Sequence, residues 1–371
     1  MIFSGSANAL LTKKIADELH EDLGKITVGR FADGEVSVHV HENVRGADVY
    51  VVQPTSPAVN EHLLELLLII STLRRSSAKR ITAVVPYYGY KRDVGRPPET
   101  PSLRSRLGAD TAADDLPDAI PVSAADVASM LTSVGVDRVL AIDLQPPGQG
   151  QIEGFFDPRV PVDSLRSTAI AVGYIASLNL QNPVVVAPNE SCVELAQDFR
   201  SGMQRLAADR PGEHNSFADT GFAVIVEGGP SRGMDRYLHD YKRTKRMDLV
   251  GDVSGRDVVL VDDMIDSGGT LQSRVALLRE AGARRIISFA THGLFNGPCV
   301  KRINDSALEL FVVTDTVPLT SEAAASSKIV QVSVAPILAE AVHRMHLNKS
   351  LQDLRVYSRD NVVERYLGQG W

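Results

Sequence analysis

Cysteine is nearly absent from this 371-residue chain: Cys192 and Cys299 are the only two. Two thiols are too few for a disulfide framework or a sulfur-based zinc site, so they read as reduced thiols with no metal between them. Net positive charge is missing as well. A formal net charge of −7 argues against holding nucleic acid through overall charge and requires any anion site to be local. No run approaches the roughly 18 apolar residues of a membrane span. The most apolar segment, "HLLELLLIISTL" at 62–73, contains Glu65 and reads as a buried helix. The opening "MIFSGSANALLTKK" lacks the basic start and long apolar stretch of a secretory signal, and the closing "GQGW" carries no peroxisomal tripeptide or prenylation box. The expectation is a cytoplasmic protein with neither membrane nor nucleic acid as partner.

What is present suits a folded domain pair. Hydrophobic residues make up 44% and charged residues 23% of the chain, and its length exceeds what one core usually serves. Short β-branched runs recur between helical stretches: "ADVYVVQ" (47–53), "RITAVVPYY" (80–88), "DRVLAIDL" (137–144), "NPVVVAP" (182–188), "RDVVLVDD" (256–263), "RRIISFATHG" (284–293) and "LELFVVTD" (308–315). Continuous apolar strands alternating with helices predict an α/β fold with parallel sheets covered on both faces. Three strands follow one cue, in "SSAKRITAVV", "VGVDRVLAI" and "AGARRIISF", which suggests one unit used twice. A boundary is expected near 145–160, giving units over 1–150 and 151–334 and a C-terminal helix and tail over 335–371 that packs on the first unit.

Three stretches rich in Pro, Gly and charge, at 91–121, 206–221 and 227–248, read as long loops of the kind that serve a function or stay unstructured.

The most informative stretch is "VVLVDDMIDSGGTLQ" (258–272). An apolar strand runs into Asp262 and Asp263 at its carboxyl end, where open α/β sheets place their ligand crevice. Ser267, Gly268, Gly269 and Thr270 then open a helix whose free N–H groups favour a phosphate. Asp262, Asp263 and Asp266 suit sugar hydroxyls or Mg²⁺. A phosphate nest beside vicinal carboxylates describes a ribose 5-phosphate site, against the plainer alternative of a capped turn with solvated acids.

This stretch resembles the phosphoribosyl-pyrophosphate loop of type I phosphoribosyltransferases. The chain as a whole resembles the ribose-phosphate pyrophosphokinase family over most of 1–350. Supporting motifs are "VGRFADGEVSVHVHENVRGADVYVVQ" (28–53), "AKRITAVVPYYGYKR" (78–92), "GFFD" (154–157), "LVGDVSGRDVVLVDDMIDSGGTL" (249–271), "ATHGLF" (290–295) and "ILAEAVHRMH" (337–346). The resemblance implies two tandem phosphoribosyltransferase-type domains and Mg²⁺-dependent transfer of diphosphate from ATP to ribose 5-phosphate. It places Phe31, Asp33 and Glu35 at the adenine, Arg92 at the ATP phosphates, and Asp262 to Thr270 around the sugar phosphate. Arg45 and Ser333 fall at a regulatory phosphate or ADP site. Oligomers are implied, dimer-based and up to hexamers, with the ATP site shared between subunits.

Four departures fall on the chemistry. Gln145 replaces a metal-binding His, and Asn189 replaces the acid of a metal and substrate loop, so the implied metal positions hold amides. After "GFAVIV" the family carries a basic loop that stabilises the transferring group, whereas here Glu227 and Gly229 occupy the aligned positions. Arg232, or the run "YKRTKR" at 241–246, is then the candidate substitute cation. After Arg92 come Asp93 and Val94 where polar and acidic residues are expected, followed by the insertion. Such losses mark the synthetase-associated proteins, which regulate an active paralogue as hetero-oligomers, although those degrade the sugar-phosphate loop that is intact here. A nucleobase phosphoribosyltransferase is disfavoured by the duplicated first half with its "FADGE".

Overall fold

The apolar runs assemble into two parallel sheets and a small hairpin. The structure is a computed structural model that describes residues 1–92, 123–145, 151–209, 212, 215–227 and 247–355. The strands are β1 (Ile2–Ser4), β2 (Ile26–Arg30), β3 (Val36–Val40), β4 (Asp48–Val52), β5 (Arg80–Val85), β6 (Arg138–Ile142), β7 (Val162–Leu165), β8 (Val184–Ala187), β9 (Gly221–Glu227), β10 (Met247–Val250), β11 (Asp257–Ile265), β12 (Arg285–Gly293), β13 (Leu310–Thr314) and β14 (Ile329–Val332). The helices are α1 (Ala9–Leu19), α2 (Val59–Arg75), α3 (Ser123–Ser133), α4 (Thr168–Ala176), α5 (Val193–Asp209), α6 (Gly269–Glu280), α7 (Cys299–Asp305), α8 (Ser321–Ala324) and α9 (Ala335–His346).

The first sheet has the order β1-β4-β5-β6-β7 and is parallel throughout. The second has the order β10-β9-β8-β11-β12-β13-β14, parallel except where β10 returns antiparallel beside β9. β2 and β3 pair as a separate antiparallel hairpin. The α/β class is therefore as the alternation of runs implies. The first sheet takes β7 from beyond residue 150, and α5 runs through Asp209, past the start of the loop expected at 206.

Strand alternation sorts the side chains into three apolar layers. Val49, Val51, Ile81, Ala83 and Val85 pack with α2 and α3 on one side of the first sheet. Val184, Val186, Val258 and Leu260 pack beneath α6 and α7 on the far side of the second. The middle layer is shared: Val52, Val84, Ile142, Val185, Val259 and Val261 meet in one cluster that also takes in α4. All nine residues of α4, "TAIAVGYIA", are buried. A helix apolar on every side is stable only when covered on every side, and two facing sheets do that. Each fully buried aliphatic side chain contributes roughly 1.5–3 kcal/mol before entropy is counted.

The halves are also joined at α9, which packs on α1 through Leu11, Ile15, Ile337, Leu338, Ala341 and Met345. Asn8 Nδ2 donates to the Asp315 carbonyl at 2.9 Å, and Lys14 reaches the Asp315 carboxylate at 2.9 Å. Among the described residues, no helix is long and apolar enough to cross a membrane.

Candidate active site

β11 outruns β8 on one side, keeps pace with β12 on the other, and carries Asp262 and Asp263 to the carboxyl edge of the second sheet, where the chain turns through Asp266 and Ser267 into α6. The turn depends on Gly268, whose φ is +73° and where a Cβ would sit 3.1 Å from Cys299 Sγ. A side chain there meets both backbone strain and a buried neighbour. Arg302 braces the loop by donating to the Ser267 carbonyl at 2.7 Å. Ser267 and Thr270 stay exposed, beside the unpaired N–H groups of a helix start, the arrangement that suits a phosphate.

Asp266 is gripped from both sides. Asn296 Nδ2 donates to one carboxylate oxygen at 2.6 Å, while Arg92, at the end of the segment following β5, ion-pairs with the other at 2.5 Å. The first half thus delivers Arg92 to the loop of the second.

Asp262 is more enclosed. Its Oδ1 accepts from the Cys192 thiol at 3.3 Å and from the Asp263 N–H at 3.0 Å, and its Oδ2 accepts from Arg274 at 3.3 Å. Burial, reinforced by the Asp263 charge, pushes Asp262 up to about 7, against the opposing pull of Arg274. Burial likewise raises the Cys192 thiol, which stays protonated and is a donor here rather than a nucleophile.

The floor between the halves is a buried polar network. Asp143 accepts from Ser167 N at 3.2 Å, Ser167 Oγ at 2.5 Å and Thr291 Oγ1 at 2.8 Å, tying β6 to β12. Lys91 is buried, donates to the Asp143 carbonyl at 3.0 Å and lies over the Tyr87 ring at 5.7 Å. Burial draws Lys91 down, and burial with the Lys91 charge draws His292 well below its ordinary range, leaving a neutral ring.

Other expected residues lie elsewhere. Phe31, Asp33 and Glu35 sit at the exposed tip of the β2–β3 hairpin, which closes on itself through Phe31 N to Glu35 O at 2.8 Å and Glu35 N to Asp33 Oδ1 at 3.1 Å. Arg30 pins the hairpin to α2 through Glu61 at 3.3 Å and Glu65 at 3.6 Å. No hydrogen bond or ion pair among the described residues joins this tip to Arg92. Arg45 is exposed between β3 and β4, whereas Ser333 donates to Asp315 at 2.6 Å before α9; no such bond links these two either. Gly229, Arg232, the run at 241–246, Asp93 and Val94 lie outside the described residues.

Gln145 Oε1 accepts from Ile152 N at 2.9 Å, and Asn189 Oδ1 accepts from Cys192 N at 3.0 Å and Ser191 Oγ at 2.8 Å. Both amides serve as backbone caps. Among the described residues, the donor atoms of Cys192, Asp262 and Asp263 converge, within 4.8 Å of one another. Its paired carboxylates fit a hard, oxygen-seeking cation, and the protonated thiol contributes nothing to one.

Arg274, Lys91, Asp143 and His292 escape a reading of the motifs alone. For Arg274 the signal exists: Leu271, Arg274, Val275 and Leu278 share one helical face, so a charged residue occupies a position the 3.6-residue period reserves for the core.

Residues 1–135 match the family described as the N-terminal domain of ribose phosphate pyrophosphokinase, and residues 179–355 match the phosphoribosyl synthetase-associated domain. The ribose-phosphate pyrophosphokinases of Vibrio cholerae serotype O1 and Shewanella oneidensis are each 39% identical over 350 residues, covering 94% of this chain and 97% and 96% of theirs. The crystal structure of phosphoribosylpyrophosphate synthetase from Mycobacterium smegmatis superposes with a TM-score of 0.73 at 33% identity, covering 94% of this chain and 99% of that one.

Proposed function

Because the chain belongs to the ribose-phosphate pyrophosphokinase family, we propose that it transfers the β,γ-diphosphoryl group of ATP to the C1 hydroxyl of ribose 5-phosphate. The hydroxyl oxygen forms a bond to the β-phosphorus, the bond from that phosphorus to the α-phosphate oxygen breaks, and AMP leaves. The hydroxyl proton is released, and the products are phosphoribosyl pyrophosphate and AMP.

The observation that carries this reading is the junction at Asp266, where a cation of the first half meets the sugar-phosphate loop of the second at 2.5 Å. In this reading Ser267 to Thr270 hold the 5-phosphate with backbone N–H groups, and Asp262 and Asp263 accept from the ribose hydroxyls. Arg92 stands where it can turn from Asp266 to the phosphates of ATP, so that charge spreading over the transferring oxygens meets a guanidinium. Mg²⁺, the divalent cation expected of the reaction, neutralises phosphate charge when bound, and the carboxylates of Asp262 and Asp263 are the oxygen donors suited to it. Gln145 and Asn189 contribute positioning of the surrounding backbone.

The adenine end falls to Phe31, Asp33 and Glu35. Phe31 is 60% exposed, a large aromatic left for a partner surface or a base to cover. The reading therefore includes a homo-oligomer in which one subunit's hairpin completes another's ATP site. The protein works in the cytoplasm and takes ATP and ribose 5-phosphate as its small-molecule partners.

A second reading, a regulatory subunit of an active paralogue, is favoured by one observation: Glu227 stands where a basic side chain is expected. Homogeneous protein incubated with ATP, Mg²⁺ and ribose 5-phosphate separates the two. AMP formation dependent on the sugar phosphate supports the enzyme. Binding of ribose 5-phosphate without AMP formation, with turnover appearing only in the presence of a second chain, supports the subunit.

A further inference from the structure

Arg274 projects from the buried face of α6 with only 6% of its side chain exposed. One amino group meets Asp262 Oδ2 at 3.3 Å, the other meets Glu227 Oε1 at 3.3 Å, and its Nε–H finds no acceptor among the described residues. A guanidinium among Val275, Leu278 and the sheet is costly unless its charge is met. Two carboxylates meet it, one on β11 and one at the last residue of β9.

We propose that Arg274 and Glu227 are a compensated pair whose role is to position Asp262 for the ribose hydroxyls, making Arg274 a positioning residue of the sugar-phosphate site. This rests on the reading of 262–270 as the ribose 5-phosphate loop. Asp262 lies beside Asp263, with a carboxylate oxygen of each within 4.8 Å of the other, and Asp263 N donates to Asp262 Oδ1 at 3.0 Å. Without a cation behind them the two acids repel, and one turns away. The Arg274 fork supplies that cation at Asp262 Oδ2 and so fixes how the carboxylate is turned. Glu227 fixes the fork from the opposite side, so that a guanidinium meets its carboxylate. The bond also anchors the end of β9 to α6, the helix that starts at the sugar-phosphate loop.

Charge logic gives a counter-intuitive consequence. Restoring a basic residue with Glu227→Lys places a cation against Arg274, and sugar binding weakens even though the substitution brings the position back toward the family pattern.

The experiment is a double-mutant cycle on the full-length protein with Arg274→Gln, Glu227→Gln and both together, plus Arg274→Lys and Glu227→Lys. Ribose 5-phosphate and ATP are titrated separately by calorimetry, with thermal melting as the folding control and KM and kcat measured in parallel. Arg274→Gln is expected to weaken ribose 5-phosphate by roughly tenfold or more, equivalent to at least about 1.4 kcal/mol, with ATP affinity unchanged. The loss appears in KM for the sugar more than in kcat. Arg274→Lys recovers part of the affinity because it keeps the charge and loses the fork. Glu227→Gln costs affinity in the native background and nothing further when Arg274 is already Gln.

Two results overturn the proposal while leaving the sugar-site reading intact: Arg274→Gln folded and binding ribose 5-phosphate like the unmodified protein, or additive effects across the cycle. If Arg274→Gln does not fold, Glu227→Lys decides, with weakened sugar binding supporting the pair and unchanged or tighter binding refuting it. Failure of the unmodified protein to bind ribose 5-phosphate removes the reading and the pair together.

Discussion

Arg92 and Asp266 are 174 residues apart in sequence and 2.5 Å apart in space. Their ion pair is the point where the end of the first sheet's β5 segment touches the sugar-phosphate loop of the second. With about two-fifths of the Arg92 side chain exposed, the pair contributes little to stability, on the order of 0–1 kcal/mol. In the proposed reaction its value lies in placing a cation beside the reacting groups.

Arg92→Ala is therefore expected to leave the melting temperature nearly unchanged and to lower kcat/KM for ATP by roughly 10²–10³-fold, the usual cost of removing one transition-state donor. Steady-state kinetics beside a thermal melt check both halves of the statement. A large fall in melting temperature with unchanged kinetics contradicts it.

Phe31 tests the shared site. Phe31→Ala removes an exposed aromatic, so stability stays within about 0.5 kcal/mol, while KM for ATP rises. Mixing Phe31→Ala protein with Arg92→Ala protein, at an ATP concentration where each alone turns over slowly and under conditions that exchange subunits, is expected to restore part of the activity, because some interfaces then combine two intact halves. Absence of any recovery in verified mixed oligomers contradicts a site completed by a neighbour.

Gly268→Ala tests the turn. The substitution forces a β-carbon into a left-handed backbone, at roughly 1–2 kcal/mol, and toward Cys299 Sγ at 3.1 Å. A lower melting temperature and weaker ribose 5-phosphate binding are expected together. Gly269, where the nearest atom to a built Cβ is the flexible Arg302 guanidinium at 3.5 Å, is the control that tolerates Ala better in stability.

The pH dependence follows from Asp262. Its carboxyl is raised in the folded protein to about 7 by burial and by Asp263, above its unfolded value of about 3.9. Between those values the folded state holds a proton that the unfolded state has lost, so this residue's contribution to stability declines as pH rises through that window. Sugar binding moves the other way, strengthening as Asp262 ionises and accepts from hydroxyls. Calorimetry of ribose 5-phosphate in metal-free buffer at pH 6 and pH 8 checks this, with Asp262→Asn expected to flatten the part not due to the ligand's own phosphate. An equal pH response in the variant contradicts the assignment.

Much of this architecture is legible in the sequence. All seven apolar runs became strands, from "ADVYVVQ" as β4 to "LELFVVTD" as β13, because a strand buried on both faces writes itself as an unbroken apolar run. β1, β7 and β14 read "IFS", "VDSL" and "IVQV", with a polar residue in each and no unbroken apolar run for composition to mark. The turn at 266–270 was readable because glycines, acids and a helix start come in a fixed local order. The long-range partners were not: nothing in "YKR" shows that Arg92 meets Asp266, and Gln145 and Asn189 reveal their capping bonds only when Ile152 and Cys192 are brought beside them. Arg274 stood visible as a charge on an apolar helical face, but its meaning required Glu227, which reaches it only across the sheet.

On the proposed reading, this chain by itself moves a diphosphoryl group onto ribose 5-phosphate. The direct measurement uses homogeneous protein, Mg²⁺, ribose 5-phosphate and ATP labelled in its γ-phosphate, with products separated and counted. Label is expected in phosphoribosyl pyrophosphate in equal amount to the AMP released. Label remaining in ATP, or appearing only as free phosphate, while ribose 5-phosphate still binds, contradicts it.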